Sequence, residues 1–260
     1  MYDVIAYSAV AGVVGMGFGG VLAAVLLCKP SQNMSCWLLS FAAGVMLSVV
    51  CFGLTPETLK IASPIVCALG LIIGIVAVMA LNRVADRITD GVACKSLHAT
   101  HEEYYHAAGI IGNRRGVLRS GVLMFIAIAL HNVPEGLAIG AGGVHDADLG
   151  FLIALMIALH NIPEGMAVAA PLLAGGVGRF RVVLLTAIAG ATTLIGGIIG
   201  AGIGNISDLA VALSLSSAGG AMLYIIFGEI LPHVSVMTKS RFSALVTLLG
   251  MVVGFVITYA

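Results

Sequence analysis

The sequence predicts an all-α integral membrane protein of eight transmembrane helices with inverted repeats, spans one to three against six to eight, and spans four and five as a central pair. Three observations carry this. The chain has too few charges to clothe a water-facing surface, it contains eight apolar runs of membrane-crossing length, and segments of it recur. Of its 260 residues, 60% are hydrophobic and 9% charged, against about 25% charged in a soluble domain. With mean hydropathy at +1.12, one globular core cannot hide the apolar surface, so a lipid bilayer must solvate much of it. The formal net charge is zero, without the basic excess that marks a nucleic-acid-binding chain. The apolar runs are continuous rather than alternating, so they read as helices and not as barrel strands.

Taken in order, the spans fall at roughly 4–28, 36–58, 61–81, 118–143, 149–174, 181–203, 208–231 and 243–259, each near the ~20 residues that cross the hydrocarbon. The first carries Asp3 where a signal peptide needs a basic residue, so it reads as a retained span. It is rich in glycine (Gly12, Gly15, Gly17, Gly19, Gly20), as is the sixth (Gly196, Gly197, Gly200, Gly202, Gly204). Small residues of this kind let membrane helices approach closely. The second and seventh spans close on Pro56 and Pro232. Between the third and fourth lies the one sizeable polar stretch, about 83–117, with His98, His101 and His106. Residues 1–260 thus read as a single eight-helix transport domain with one long loop. Cys28, Cys36, Cys51, Cys67 and Cys94 form no CxxC pair, and four of them read as small buried hydrophobes.

Basic residues set the orientation. Eleven of the twelve Lys and Arg fall in the loops after spans one, three, five and seven, leaving Lys60 alone on the other side. Cytoplasmic loops hold the excess of Lys and Arg, so both termini and Lys60 are expected outside and the 83–117 loop inside.

Two repeats are visible. IALHNVPEGL (128–137) and IALHNIPEGM (157–166) relate spans four and five, while AAGVMLSVVCFGLTP (42–56) and AGGAMLYIIFGEILP (218–232) relate spans two and seven more weakly. Each pair joins an even span to an odd one, so its members run oppositely through the bilayer. Inverted repeats are an architectural mark of transporters with a midplane site. The chain contains no GxxxxGK[ST] phosphate loop, which argues against an ATP-driven pump.

The fourth and fifth spans each place His, Asn and Glu mid-membrane: His131, Asn132 and Glu135; His160, Asn161 and Glu164. Ionisable groups there are costly and are seldom kept without partners. At 100° per residue, each Glu projects between its His and its Asn. Facing antiparallel helices would therefore converge two imidazoles and two carboxylates, a set suited to Zn²⁺ and equally to Fe²⁺, Mn²⁺ or Cd²⁺. The Glu positions would also permit a second metal on the Asn side. Pro134 and Pro163 withhold a donor from the carbonyls of Leu130 and Leu159, and Gly136 and Gly165 allow close approach beside them. Glu229 and His233, four apart at the end of span seven, either receive a departing ion or form an interfacial salt-linked pair.

These motifs, with FAAGVML at 41–47, resemble those of the ZIP (Zrt/Irt-like protein) family of divalent-metal transporters, in particular its compact bacterial branch. The resemblance spans all eight helices. It implies a homodimer in the bacterial inner membrane, extracytoplasmic termini, and import of a divalent metal, Zn²⁺ foremost, by elevator-like alternating access. Carried over by position, His131, Glu135, His160 and Glu164 form the primary site, and Asn132, Asn161 and both glutamates the second. Met46 approaches from span two or simply packs there. Two departures stand out: Thr193 where many relatives carry Glu, and Gly53 where some carry an acid. The metal is cargo, and no cofactor is expected. An enzyme would need a base or nucleophile beside the ligands, and none is found. A metal sensor would need an output domain larger than 83–117. A channel-like pore stays open as the alternative to a carrier.

Overall fold

The computed structural model describes residues 2–26, 32–89, 114–238 and 241–259. Among these residues there are no strands, and eight helical rods follow one another: α1 (Tyr2–Leu26), α2 (32–61), α3 (Pro64–Thr89), α4 (Arg114–His145), α5 (Ala147–Ala174), α6 (Arg179–Gly204), α7 (208–238) and α8 (Phe242–Tyr259). Seven have the length and composition to cross a membrane, and α3 holds a shorter apolar stretch, Pro64–Ala80. Several rods outrun the expected spans. α3 continues past residue 81 through Arg83 and Arg87, and α4 starts at Arg114 rather than 118. A helix satisfies its own backbone, so nothing obliges it to stop where the hydrocarbon does.

The short connections are set by local chemistry. Ala62 turns extended before Pro64 opens α3, as the residues preceding a proline are biased to do. Asp146 caps α5 by accepting from the backbone N–H groups of Asp148 and Leu149, and Ser207 caps α7 through Ala210. Gly176 takes φ 87° in the turn between α5 and α6, a conformation that other residues adopt at a cost.

Three rods contain a π-helical turn: Val10–Val14 in α1, Val49–Leu54 in α2 and Ile226–Ile230 in α7. The last two occupy equivalent places in the weaker sequence repeat, and each precedes its proline, Pro56 or Pro232. A proline cannot donate to the carbonyl four residues back, so the regular ladder is already broken there and a wider turn costs little more. Pro134 and Pro163, by contrast, lie inside continuous α-helix.

Helix contacts obey a twofold relation that the sequence shows only faintly. A methyl group at Gly136 of α4 would strike the Thr193 carbonyl of α6, and one at Gly165 of α5 would strike the Met16 carbonyl of α1. Gly12 and Gly190 meet each other, Gly20 meets Thr186, and Gly197 meets Ser8. In the other half, Gly44 of α2 packs on Thr247 of α8, and Gly220 of α7 packs on Leu71 of α3. Each contact has its mirror, relating α1–α3 to α6–α8 and α4 to α5. The α1 π-turn leaves a trace in this register. Paired positions are 178 apart before it (Ser8 and Thr186) and 177 apart after it (Met16 and Thr193), as one inserted residue requires.

The faces away from these contacts are apolar and uncovered by protein, as on α8, where Leu245, Leu248, Leu249, Val252 and Val256 are exposed. That suits a hydrocarbon solvent. Aromatic pairs Trp37–Phe242 and Phe52–Phe255, at centroid separations of 5.3 and 5.0 Å, join α2 to α8. Cys36 and Cys67 are buried, but Cys51 is exposed, against the expectation of a buried hydrophobe. It lies on the outer side of the α2 π-turn, where lipid covers a thiol as well as protein does. Cys28 and Cys94 lie outside the described residues.

Candidate metal centre

The duplicated motif meets itself at the middle of the bundle. Glu135, His160 and Glu164 each offer a ligand atom, all within 4.8 Å of one another, and all three side chains are fully buried. The helices α4 and α5 run antiparallel, so Glu135 comes level with His160, and His160 Nε2 lies 3.0 Å from Glu135 Oε1. The other ring nitrogen, Nδ1, is 3.1 Å from the Met156 carbonyl. A carbonyl oxygen only accepts, so Nδ1 carries a proton, and Nε2 faces Glu135 as a donor when the ring is charged and as a lone pair open to a metal when it is neutral. A carboxylate and a neutral ring nitrogen facing each other suit a cation held between them. Metal ligands about 2.0–2.1 Å from a tetrahedral ion would stand at about this separation.

The remaining oxygens repeat the point. Glu135 Oε2 and both carboxylate oxygens of Glu164 are buried with no hydrogen-bond partner. A buried acceptor left unsatisfied costs about 1–3 kcal/mol, and a charged one more. Three such atoms in one cluster are a recurring cost that a bound cation removes.

His131 does not join this cluster. It lies one turn nearer the start of α4, 4% exposed, with Nε2 3.3 Å from Oε2 of Glu229 on the α7 π-turn. Glu229 is 22% exposed, while Glu135 and Glu164 are wholly enclosed. Glu229, expected beside His233, thus also contacts the motif itself. The side chain of His233 lies outside the described residues, as do His98, His101 and His106.

Asn132 and Asn161 occupy equivalent frames. Asn132 Nδ2 donates to the Ala189 carbonyl of α6 at 2.9 Å, and Asn161 Nδ2 donates to the Ala11 carbonyl of α1 at 3.0 Å. Both amide oxygens are buried without a partner, as is the Thr193 hydroxyl. Met46 is fully buried within the apolar core, and Gly53 faces open space. The anchoring partners, namely the carbonyls of Ala11, Met156 and Ala189 and the Thr192 hydroxyl on Ala129 and Ala189, left no mark in the sequence. Backbone acceptors carry no residue signature.

A family model described as "ZIP Zinc transporter" matches residues 91–260. The zinc transporter ZupT of Escherichia coli (strain K12 / DH10B) is 30% identical over 243 residues, covering 92% of this chain and 90% of that protein. The protein of the same name from Enterobacter sp. (strain 638) is 30% identical over 219 residues, 83% of this chain and 80% of its own length. A buried, cation-demanding His/Glu cluster on duplicated antiparallel spans and this breadth of likeness lead to one conclusion: the chain belongs to the ZIP zinc transporter family.

Proposed function

We propose that the chain is one transport unit, residues 1–260, that imports a divalent transition metal, Zn²⁺ foremost, into the cytoplasm. The observation that carries this is the closed cluster of Glu135, His160 and Glu164, whose unpartnered oxygens require a cation. In this reading His131, paired with Glu229 where the cluster meets the outside, completes the ligand set and passes the ion on. Orientation rests on the basic loops, which put both termini outside and the His131–Glu229 side of the cluster toward the cytoplasm. The membrane is the bacterial inner membrane and the assembly a homodimer, both on the strength of the family likeness.

Alternating access, rather than a channel-like pore, is supported by the pattern of close contacts. Backbone-to-backbone contact through glycine ties α1 and α6 to the metal-bearing α4 and α5, and separately ties α2 to α8 and α3 to α7. Between the metal-bearing group and the others, the contact of Gly142 of α4 on Leu215 of α7 is made by a side-chain atom at 3.6 Å, a surface that can slide. In proteoliposomes, uptake should saturate with Zn²⁺, be competed by Cd²⁺, Fe²⁺ or Mn²⁺ in proportion to their His/Glu affinity, and ignore Mg²⁺. Non-saturating flux would instead favour the pore.

The loop histidines are not the filter in this reading. Replacing His98, His101 and His106 together with Ser should leave the order of metal preference unchanged and alter the uptake rate by less than about 3-fold, since solvated loop ligands hold an ion only transiently. A reordered preference in competition assays would move the selectivity step out of the membrane.

A further inference from the structure

We propose that Thr258, near the end of α8, is a positioning residue for the metal-bearing helix α5. Its hydroxyl, held on the Met156 sulfur, keeps α5 docked one turn from His160 and favours the state in which the cluster is shut to the outside. The inference rests on the reading of the chain as a carrier. Three observations point to it.

The first is the bond itself. Thr258 Oγ1 donates to the Gly254 carbonyl one turn back at 2.9 Å, and also to Sδ of Met156 on α5 at 3.3 Å. A threonine in an apolar helix is ordinarily satisfied by the first of these alone. That bond, with the stiff χ1 of a β-branched residue, fixes the hydroxyl where it also meets the thioether. Thioether sulfur is a weak acceptor, so the contact holds α5 without trapping it.

The second is what Met156 does on its other side. It lies one turn before His160, and its carbonyl is 3.1 Å from His160 Nδ1. Its side chain is fully buried, as are Ile153 and Ile157 on the same helix. Met156 thus joins α8, through its sulfur, to a cluster side chain, through its backbone. The first copy of the motif has no counterpart. The position equivalent to Met156 is Ala127, although the residues that follow, IALHN, are identical in both copies. The tie is therefore one-sided.

The third is the platform. α8 is locked to α2, because methyl groups at Gly44 and Gly250 would strike the carbonyls of Thr247 and Phe41, and one at Gly254 would strike Ser48. Phe52, on the α2 π-turn, adds ring contacts to Phe255 and Tyr259 on either side of Thr258, at 5.0 and 6.5 Å between centroids. Thr258 is thereby fixed on α2, while Met156 belongs to the group that carries the metal ligands. α5 enters from the outside in the proposed orientation, so Thr258 grips it on the outer side of His160. In the opposite direction the cluster reaches the partly exposed Glu229 through His131. Opening the cluster outward parts α5 from α8 and breaks this bond.

The test is Zn²⁺ uptake by intact bacteria that lack other zinc importers and express the full chain, so that only its outer face meets the metal. Apparent affinity is reduced by the fraction of protein outside the binding-competent state. Thr258→Val keeps the shape and removes the hydroxyl, so the outward-open fraction rises. KM for Zn²⁺ should then fall about 2- to 5-fold, the population shift that one weak hydrogen bond carries. Thr258→Ser should keep the parental KM. Met156→Leu removes the sulfur but leaves the carbonyl beside His160, and should lower KM equally. The double variant Thr258→Val/Met156→Leu should go no further than either single one. A merely structural role would lower the amount of transporter, and so Vmax, and leave KM in place. A parental KM in Thr258→Val, a Ser variant that behaves like Val, or additive effects in the double variant overturns the proposal. Absence of saturable uptake by the unmutated chain overturns the carrier reading, and this proposal with it.

Discussion

His160→Ala and Glu164→Gln should each lower Zn²⁺ uptake into proteoliposomes by at least about 100-fold, with the protein still folded. Loss of an outer-shell partner of a metal ligand costs about 10–100-fold, and in the proposed site these residues are ligands themselves. Removing His160 takes away the nitrogen donor that faces Glu135 at 3.0 Å. Neutralising Glu164 removes a charge whose two oxygens have no other partner. His131→Ala should also abolish most uptake, because His131 links the cluster to the partly exposed Glu229. Groups that act on one ion are strongly non-additive. The double variant His131→Ala/His160→Ala should therefore be little worse than either single one. Full uptake by either His variant, with an unchanged elution profile, would mean that the two motif copies do not share an ion.

The second large effect concerns the glycines that hold the bundle. Gly136→Val and Gly165→Val place side chains against the backbone carbonyls of Thr193 and Met16, where rigid backbone must shift. Overpacking of this kind costs about 1–3 kcal/mol, occasionally more, and here it would also spread the helices that carry Glu135 and Glu164. Both variants should lose several degrees of Tm and most Cd²⁺ stabilisation, and to similar extents, because the two contacts are mirror images. Gly202→Val supplies the control, since a methyl at that exposed position meets nothing within 4 Å, and it should melt within about 0.5 kcal/mol of the parent. Unequal losses at Gly136 and Gly165 would show that the halves do not share their load.

Much of this was legible before any coordinates. Charge scarcity and run length decide that the chain lives in a bilayer, because no other solvent tolerates so much apolar surface. The repeated HN[VI]PEG decides which helices face each other, since an ionisable group in mid-membrane must find a partner. Helical periodicity puts His, Asn and Glu of each copy on adjoining faces without reference to any other part of the chain. These are local properties, and local properties survive in sequence.

What only the tertiary structure decided are relations across the bundle. No pattern in span seven reveals that Glu229, on a π-turn, meets His131, because that contact depends on how neighbouring helices pack. Nor do Asn132 and Asn161 announce which amide atom is anchored and which is left without a partner. That choice belongs to the carbonyls of Ala189 and Ala11, and every residue type carries the same carbonyl. The twofold relation between α1–α3 and α6–α8 is clear in contacts such as Gly44 on Thr247 and Gly220 on Leu71, yet faint in sequence, because packing constrains the size of a residue at a crossing and little else about it.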